Sequence, residues 1–336
     1  MVEMSGNKKI KPKEGIITTT YRCNAKCKMC NIWQNPSEPK KEWKPKDLES
    51  IPSGLKNLNI TGGEPFLRKD LEEIIRVLKP KCKRLVISTN GYYTERMLSI
   101  AKKFPDVGYR ISLEGLPAAN DELRGLKDGF DHGLRSLLKL NEIGIEDIGF
   151  GITVSDRNAK DLLELYELAD MMGVEFATAV VHNSFYFHKF DNEITEKNVV
   201  VEEFEKLIDK LLSTWRIKNW YRAYFNAGLI NRVKGGNRPL PCKMGTDLFF
   251  LGPYGNIKPC NGMDFGIGNI KQQDFMEIWN SGEARKMREA VRRCDKQCWM
   301  IGSASPAMKE NFWEVTKWVL KSKMKGKRMP IGVEVD

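Results

Sequence analysis

The feature that most constrains this chain is a repeated alternation. Short apolar, β-branched runs lie at 15–20, 57–61, 84–89, 107–113, 147–154 and 174–181. Amphipathic stretches at 70–78, 95–103, 133–143 and 159–172 separate them. Strand-length apolar runs alternating with stretches of helical period are the pattern of βα units on a parallel sheet. Six units fall short of the eight that close a complete barrel. The expected fold is α/β: a partial (β/α)6 TIM-like barrel over 15–182, behind a polar segment, 1–14.

Each strand is followed at once by residues unusual in a core. They read Tyr21-Arg22-Cys23, Gly62-Gly63-Glu64-Pro65, Asn90-Gly91, Glu114-Gly115, Ser155-Asp156 and His182-Asn183-Ser184. Parallel α/β folds place their active sites at the carboxyl ends of the strands. All these residues are therefore expected at one mouth.

Eight cysteines come next in weight. Residues 1–13 are polar and lysine-rich with no apolar signal core, and no run of about 18 apolar residues occurs anywhere. A cytoplasmic location is expected, where clustered cysteines bind metal more often than they form disulfides. Cys23, Cys27 and Cys30 are spaced Cys-x3-Cys-x2-Cys directly after the first strand. Three thiolates on a tight loop can hold three corners of a cubane whose usual complement is four. The open iron left over is what a catalytic metal needs. A structural zinc would want a fourth ligand nearby, and no His or Cys lies between Cys30 and Cys82.

Residues 183–240 are expected to form a mostly helical connection. Its helix at 201–233 carries Trp215, Trp220, Tyr221, Tyr224 and Phe225, read as ordinary packing. Pro239 and Pro241 end it. A cysteine module, 241–306, then presents Cys242, Cys260, Cys294 and Cys298, enough for one iron–sulfur cluster or a structural zinc. Cys82 is left over as an unliganded thiol.

These motifs resemble the radical S-adenosylmethionine (SAM) superfamily. Met29 fills the bulky position before the third cysteine, Gly62-Gly63-Glu64-Pro65 is similar to the family's glycine-rich motif, and Ser88-Thr89-Asn90-Gly91 to the segment after the third strand. Ser112-Leu113-Glu114-Gly115 resembles a Ser-x-Asp-Gly motif with Glu in place of Asp, and Arg124-Gly125 the Arg-Gly that follows. The resemblance implies a [4Fe–4S] cluster on Cys23, Cys27 and Cys30. SAM would chelate the open iron, and its reductive cleavage would give a hydrogen-abstracting 5′-deoxyadenosyl radical. It implies SAM contacts from Met29, Gly62, Gly63, Glu64, Pro65, Thr89, Asn90, Ser112, Glu114, Arg124 and Val154. Gly255–Cys260, Gly268-Asn269-Ile270 and Ile278-Trp279-Asn280 resemble the auxiliary-cluster module of the SPASM and Twitch subfamilies. Four cysteines there, against about seven in a full SPASM module, imply the one-cluster Twitch form and a second [4Fe–4S] cluster on Cys242, Cys260, Cys294 and Cys298.

A fully ligated second cluster beside a radical site implies an oxidative outcome on a small molecule, such as a sugar or a lipid-linked sugar. An external one-electron donor, a flavodoxin or ferredoxin, is implied as well. Candidates for the general base are His182, Asn183 and Tyr186, which follow the sixth strand. Other readings stay open: a peptide- or protein-modifying maturase, for which about 15 residues before the first strand leave no recognition domain; a radical epimerase; and a metal-binding adaptor without activity. Net charge is +11, and 283–336 hold 13 Lys and Arg against 7 Asp and Glu. No nucleic-acid partner is expected. A last helix at 307–325 interleaves Phe312, Trp313, Trp318, Val319 and Leu320 with lysines, and a basic tail of 307–336 gives an expectation of peripheral membrane contact.

Overall fold

The computed structural model describes residues 9–324 and 329–331. Six strands open the chain: β1 (Glu14–Thr18), β2 (Leu55–Thr61), β3 (Cys82–Thr89), β4 (Gly108–Ser112), β5 (Ile148–Val154) and β6 (Glu175–Val180). Helices α1 (Leu71–Leu78), α2 (Thr94–Lys103), α3 (Pro117–Arg124), α4 (Gly129–Glu142) and α5 (Leu162–Met171) connect them. Two helices follow, α6 (Lys197–Ser213) and α7 (Ile217–Val233). The C-terminal part holds β7 (Leu248–Leu251), β8 (Asn256–Lys258), β9 (Gly268–Asn269), α8 (Phe275–Trp279), α9 (Gly282–Arg292), α10 (Ile301–Glu310) and α11 (Phe312–Met324).

The strands form one sheet in the order β6-β5-β4-β3-β2-β1-β7-β8-β9. The first six are parallel to their neighbours, as the alternation predicts. Beyond the six predicted units, β7 pairs parallel with β1, and β8 and β9 run antiparallel at that edge. The C-terminal module thus extends the barrel sheet. Its strand LFFL is buried throughout, so it reads as a featureless apolar run.

The helices form because their apolar residues share a face. In α1, Leu71, Ile74, Ile75 and Leu78 are buried, with Glu72 and Glu73 at the start and Arg76 at the end to suit the helix dipole. α3 falls where no helix was expected: it is eight residues, half of them polar, started by Pro117 and stopped by left-handed Gly125. The helix expected at 201–233 is two, broken after Ser213. The last helix is also two, with Pro306 inside α10. Of the expected aromatic packing, Tyr224 and Phe225 are buried, whereas Trp215 is 86% exposed.

Candidate functional site: a cysteine-lined mouth and a second cysteine cavity

The carboxyl end of β1 runs into a buried polar brace before it reaches the first cysteine. Glu42 accepts from Thr20 Oγ1 (2.5 Å) and Ser37 Oγ (2.6 Å) through one oxygen, and from Arg22 (3.3 Å) and Arg68 (3.2 Å) through the other. Arg68 also donates to the Thr19 and Trp43 carbonyls. Its guanidinium is satisfied on several sides, which a buried charge requires. Sequence reasoning missed this brace, because Ser37, Glu42 and Arg68 look like surface residues in sequence.

The glycine-rich turn is zipped to the same strand. Gly63 N donates to Thr20 O at 2.7 Å and Glu64 N to Arg22 O at 2.9 Å. A Cβ on Gly63 would lie 2.2 Å from the Arg22 carbonyl oxygen, so only glycine fits there. The Glu64 carboxylate spends both oxygens on the protein, accepting from Phe66 N, Thr89 Oγ1 and Asn90 N at 2.8–3.0 Å. Burial raises its carboxyl above the usual range. It ties the β2 turn to the β3 turn, and Asn90 Nδ2 extends the tie to Asn24 in the cysteine loop.

On the far side, Glu114 accepts from Arg124 (3.1 Å) and Thr153 N (2.6 Å). Burial raises the Glu114 carboxyl. Arg124, expected near a ligand carboxylate, is paired through Nη1 and keeps a buried Nε with no partner. Asn120 and Asn158 hold the backbone of Glu114 at 2.8 and 2.7 Å.

A cavity of about 310 Å³ opens among these elements. Cys23, Cys27, Met29, Cys30, Gly62, Gly63, Thr89, Asn90, Ser112, Glu114, Arg124, His182 and Tyr186 line it. Glu64, Pro65, Val154 and Asn183 do not. Val154 is buried in the core and Pro65 packs in a short 3-10 turn. Burial pushes the Cys23 and Cys30 thiols up to about 12 and also raises Cys27.

The three base candidates part ways. Asn183 is exposed and pairs with Asn192. Tyr186 donates its hydroxyl to Gly62 O at 2.9 Å, and its N–H donates to Asn261 O at 3.2 Å. His182 has Nδ1 3.3 Å from Val180 O. A carbonyl can only accept, so Nδ1 carries the proton and Nε2 keeps a lone pair. Nε2 is buried with no protein partner. Burial lowers the His182 pKa to about 4, so the ring is neutral at pH 7. Trp33, which sequence reasoning passed over, lines the same cavity with a buried, partnerless Nε1. Its place just past Cys30 was the available signal.

The second set also converges. Cys242, Cys260, Cys294 and Cys298 line one cavity of about 480 Å³. Burial raises Cys260 to about 11 and also raises Cys298. Arg238 lies beside them, donating to the Leu240, Cys298 and Ser303 carbonyls, with its guanidinium 5.2 Å over Trp299. Cys82 is apart from both cavities, its thiol donating to Leu78 O at 3.6 Å. Among the described residues no three His, Cys, Asp or Glu side chains converge on one point as a single ion requires. The two cysteine sets instead line cavities of about 310 and 480 Å³, with room for a multi-iron cluster in each. For SAM, Arg124 Nε and Trp33 Nε1 offer donors, His182 Nε2 an acceptor and the glycine turn close backbone approach. The residues fit both groups.

The radical SAM superfamily profile matches residues 17–169 and an iron–sulfur cluster-binding domain profile, SPASM, matches 242–300. The chain carries a radical SAM domain and a SPASM domain. Its radical SAM domain spans β1 to α5, and its SPASM domain brackets all four C-terminal cysteines. An Fe-coproporphyrin III synthase of Methanosarcina barkeri is 29% identical over 205 residues, 59% of this chain and half of that protein's length. A pre-heme d1 synthase of Dinoroseobacter shibae is 26% identical over 318 residues, 84% of this chain and 76% of that one. The fold matches that of Streptococcus suis SuiB bound to S-adenosylmethionine, with a TM-score of 0.64 at 18% identity, over 86% of this chain and 72% of that one.

Proposed function

We propose that this radical SAM enzyme carries out a two-electron oxidation of a small, carboxylate-bearing organic substrate. The observation that carries the reading is the pair of cysteine-lined cavities joined by Tyr186, whose hydroxyl holds Gly62 and whose N–H holds Asn261, next to Cys260.

When bound, the first cluster and SAM supply a hydrogen-abstracting 5′-deoxyadenosyl radical, and the second cluster supplies an electron acceptor. The chain's own residues do the rest. His182 Nε2 accepts the proton that the substrate loses after hydrogen abstraction. Passing the electron to the acceptor leaves a protonated carbonyl, a far stronger acid than imidazolium, so a weak, neutral imidazole suffices. Trp33 Nε1 and Arg124 Nε present donors that hold the substrate and SAM in place. The 185–192 segment folds over the cysteine loop: Phe187 O and His188 O accept from Asn31, and Asn192 donates to Met29 O. It shields the mouth from water.

A second concavity of about 470 Å³ shares Cys27, Met29, Trp33, Thr153 and Val181 with the first and carries Lys26, Lys28, Arg157 and Lys189. Lys26 lies 5.9 Å over Trp33. The Trp33 ring with four cations at the rim, set against Asp156, Asp191 and Glu193, suits a flat anionic substrate. The relatives named for pre-heme d1 and Fe-coproporphyrin III make a propionate-bearing tetrapyrrole the first substrate to assay; there the oxidised propionate would release its carboxylate as carbon dioxide in place of the proton. Anaerobically reconstituted, reduced protein is expected to form 5′-deoxyadenosine and a two-electron-oxidised product in equal amounts. Formation of 5′-deoxyadenosine with a product at the substrate's own oxidation level would sink the oxidative reading.

A further inference from the structure

The last helix has two faces. α11 buries Val315, Trp318, Val319 and Ser322 at spacings of three, four and seven, and it packs on α6 and α7. Trp318 Nε1 donates to Met329 O at 2.9 Å, and its ring meets Tyr224 edge-on at 5.4 Å. Trp318 and Val319, read in sequence as part of a membrane-facing set, therefore belong to the protein's own core. Lys325, Lys327 and Arg328 lie outside the described residues.

The other face is apolar as well. At about 100° per residue, Trp313, Leu320 and Met324 project within about 40° of one another, opposite the buried stripe. Their exposures are 73%, 52% and 86%. Trp215 (86%), on the adjoining turn between α6 and α7, and Ile217 (65%), the first residue of α7, stand exposed. Lys323 fixes this turn to α11. Its Nζ donates to Leu212 O (2.7 Å) and Thr214 O (3.3 Å) and lies 5.0 Å over the Trp215 ring and 4.5 Å over Trp220. The turn and the helix thus present large apolar side chains from one rigid unit. Scattered exposed apolar residues are ordinary, but a grouped set marks an interaction surface.

Charge selects the partner. Lys317 and Lys321 are exposed along the same side, and Glu314 is the helix's one acid against three lysines. Lysine is depleted at protein–protein interfaces, and a second copy would bring like charges together. Tryptophans with aliphatic neighbours and a lysine fringe suit an anionic lipid surface: rings at the headgroup level, Leu and Met among the acyl chains, ammonium groups on phosphates. No described helix is long and apolar enough to cross a membrane. We propose that α11 and the Trp215 turn dock the enzyme peripherally on anionic phospholipid bilayers.

The test is flotation of the anaerobically reconstituted full chain with vesicles of phosphatidylcholine alone and of phosphatidylcholine with about 30% phosphatidylserine. Binding to the anionic vesicles and not to the neutral ones is expected, weakening as salt rises. Trp313→Glu with Leu320→Glu should lower it about tenfold or more, as should Trp215→Glu alone. These positions are exposed and remote from both cysteine cavities, so iron content and 5′-deoxyadenosine formation should not change. Absence of binding by the intact chain, equal binding to neutral vesicles, or full binding by the double variant would overturn the proposal. A concentration-dependent dimer lost in the double variant, without lipid binding, would assign the face to a second copy instead.

Discussion

Arg124 and Glu114 are both buried and form an ion pair at 3.1 Å. Removing one partner leaves an uncompensated charge, while removing both leaves only a polar hole. Arg124→Ala is therefore expected to destabilise by about 3–5 kcal/mol. The double variant Glu114→Gln, Arg124→Met should be less destabilised than the sum of its single changes, and a denaturation double-mutant cycle would show it. Additive losses would mean that the pair contributes no coupling. His182 makes a pH prediction. Its folded pKa, about 4, lies below the unfolded value near 6.5, so the unfolded chain takes up the proton first. The penalty is absent above about pH 6.5 and grows as pH falls toward 4, to about 3 kcal/mol at most. His182→Asn should flatten thermal stability between pH 6.5 and 4 relative to the parent. An unchanged slope would show that the ring is solvated in the folded state.

At the scale of the elements, the glycine turn and the cysteine loop behave as one part. Because a Cβ on Gly63 would collide with the Arg22 backbone, Gly63→Ala must push the β2 turn away from the strand that carries Cys23. The expected result is at least tenfold weaker SAM binding, read by equilibrium dialysis, if that backbone is the surface SAM approaches, as the proposed function requires. Wild-type affinity would separate the turn from the SAM site. This turn was legible in sequence because its chemistry demands residue types at fixed places: three cysteines at set spacing, then glycines after the next strand. The brace beneath it was not. Glu42 and Arg68 are 26 residues apart, and only the fold converts two apparently solvated charges into a buried pair. The same limit hid α3, whose eight residues include a single large apolar side chain, Leu123, too little periodicity to announce a helix, and β7, whose four apolar residues reveal nothing of the sheet they join. The split of α11 into a buried and an outward face was equally invisible, since both carry tryptophan.

For the whole molecule, the question is what a sheet that runs from the SAM site into the SPASM domain achieves. β1 carries the first cysteine loop at its carboxyl end and pairs with β7, which lies between Cys242 and Cys260. Tyr186 closes the circuit from the other side. The two cavities are therefore held by a shared β-ladder and by one residue bonded toward each, an arrangement suited to electron transfer over a fixed separation. If each holds one four-iron cluster, the reconstituted chain contains about eight irons, and replacing Cys242, Cys260, Cys294 and Cys298 with alanine lowers this to about four. SAM cleavage by that variant, measured as 5′-deoxyadenosine without substrate, should persist, because Cys23, Cys27 and Cys30 and their brace are untouched. Oxidised product should fall to background, because the substrate-derived electron has lost its acceptor. Product formed at the parent rate would move the electron's destination elsewhere and leave the second cavity a structural role. Loss of both activities together with a lowered melting temperature would mean that the SPASM domain's metal supports the fold of the barrel edge. In that case Arg238→Met is the sharper variant: it keeps all four thiols, removes a partly buried cation beside them, and should shift the second cluster's reduction potential downward, because a nearby positive charge favours the reduced, more negative state.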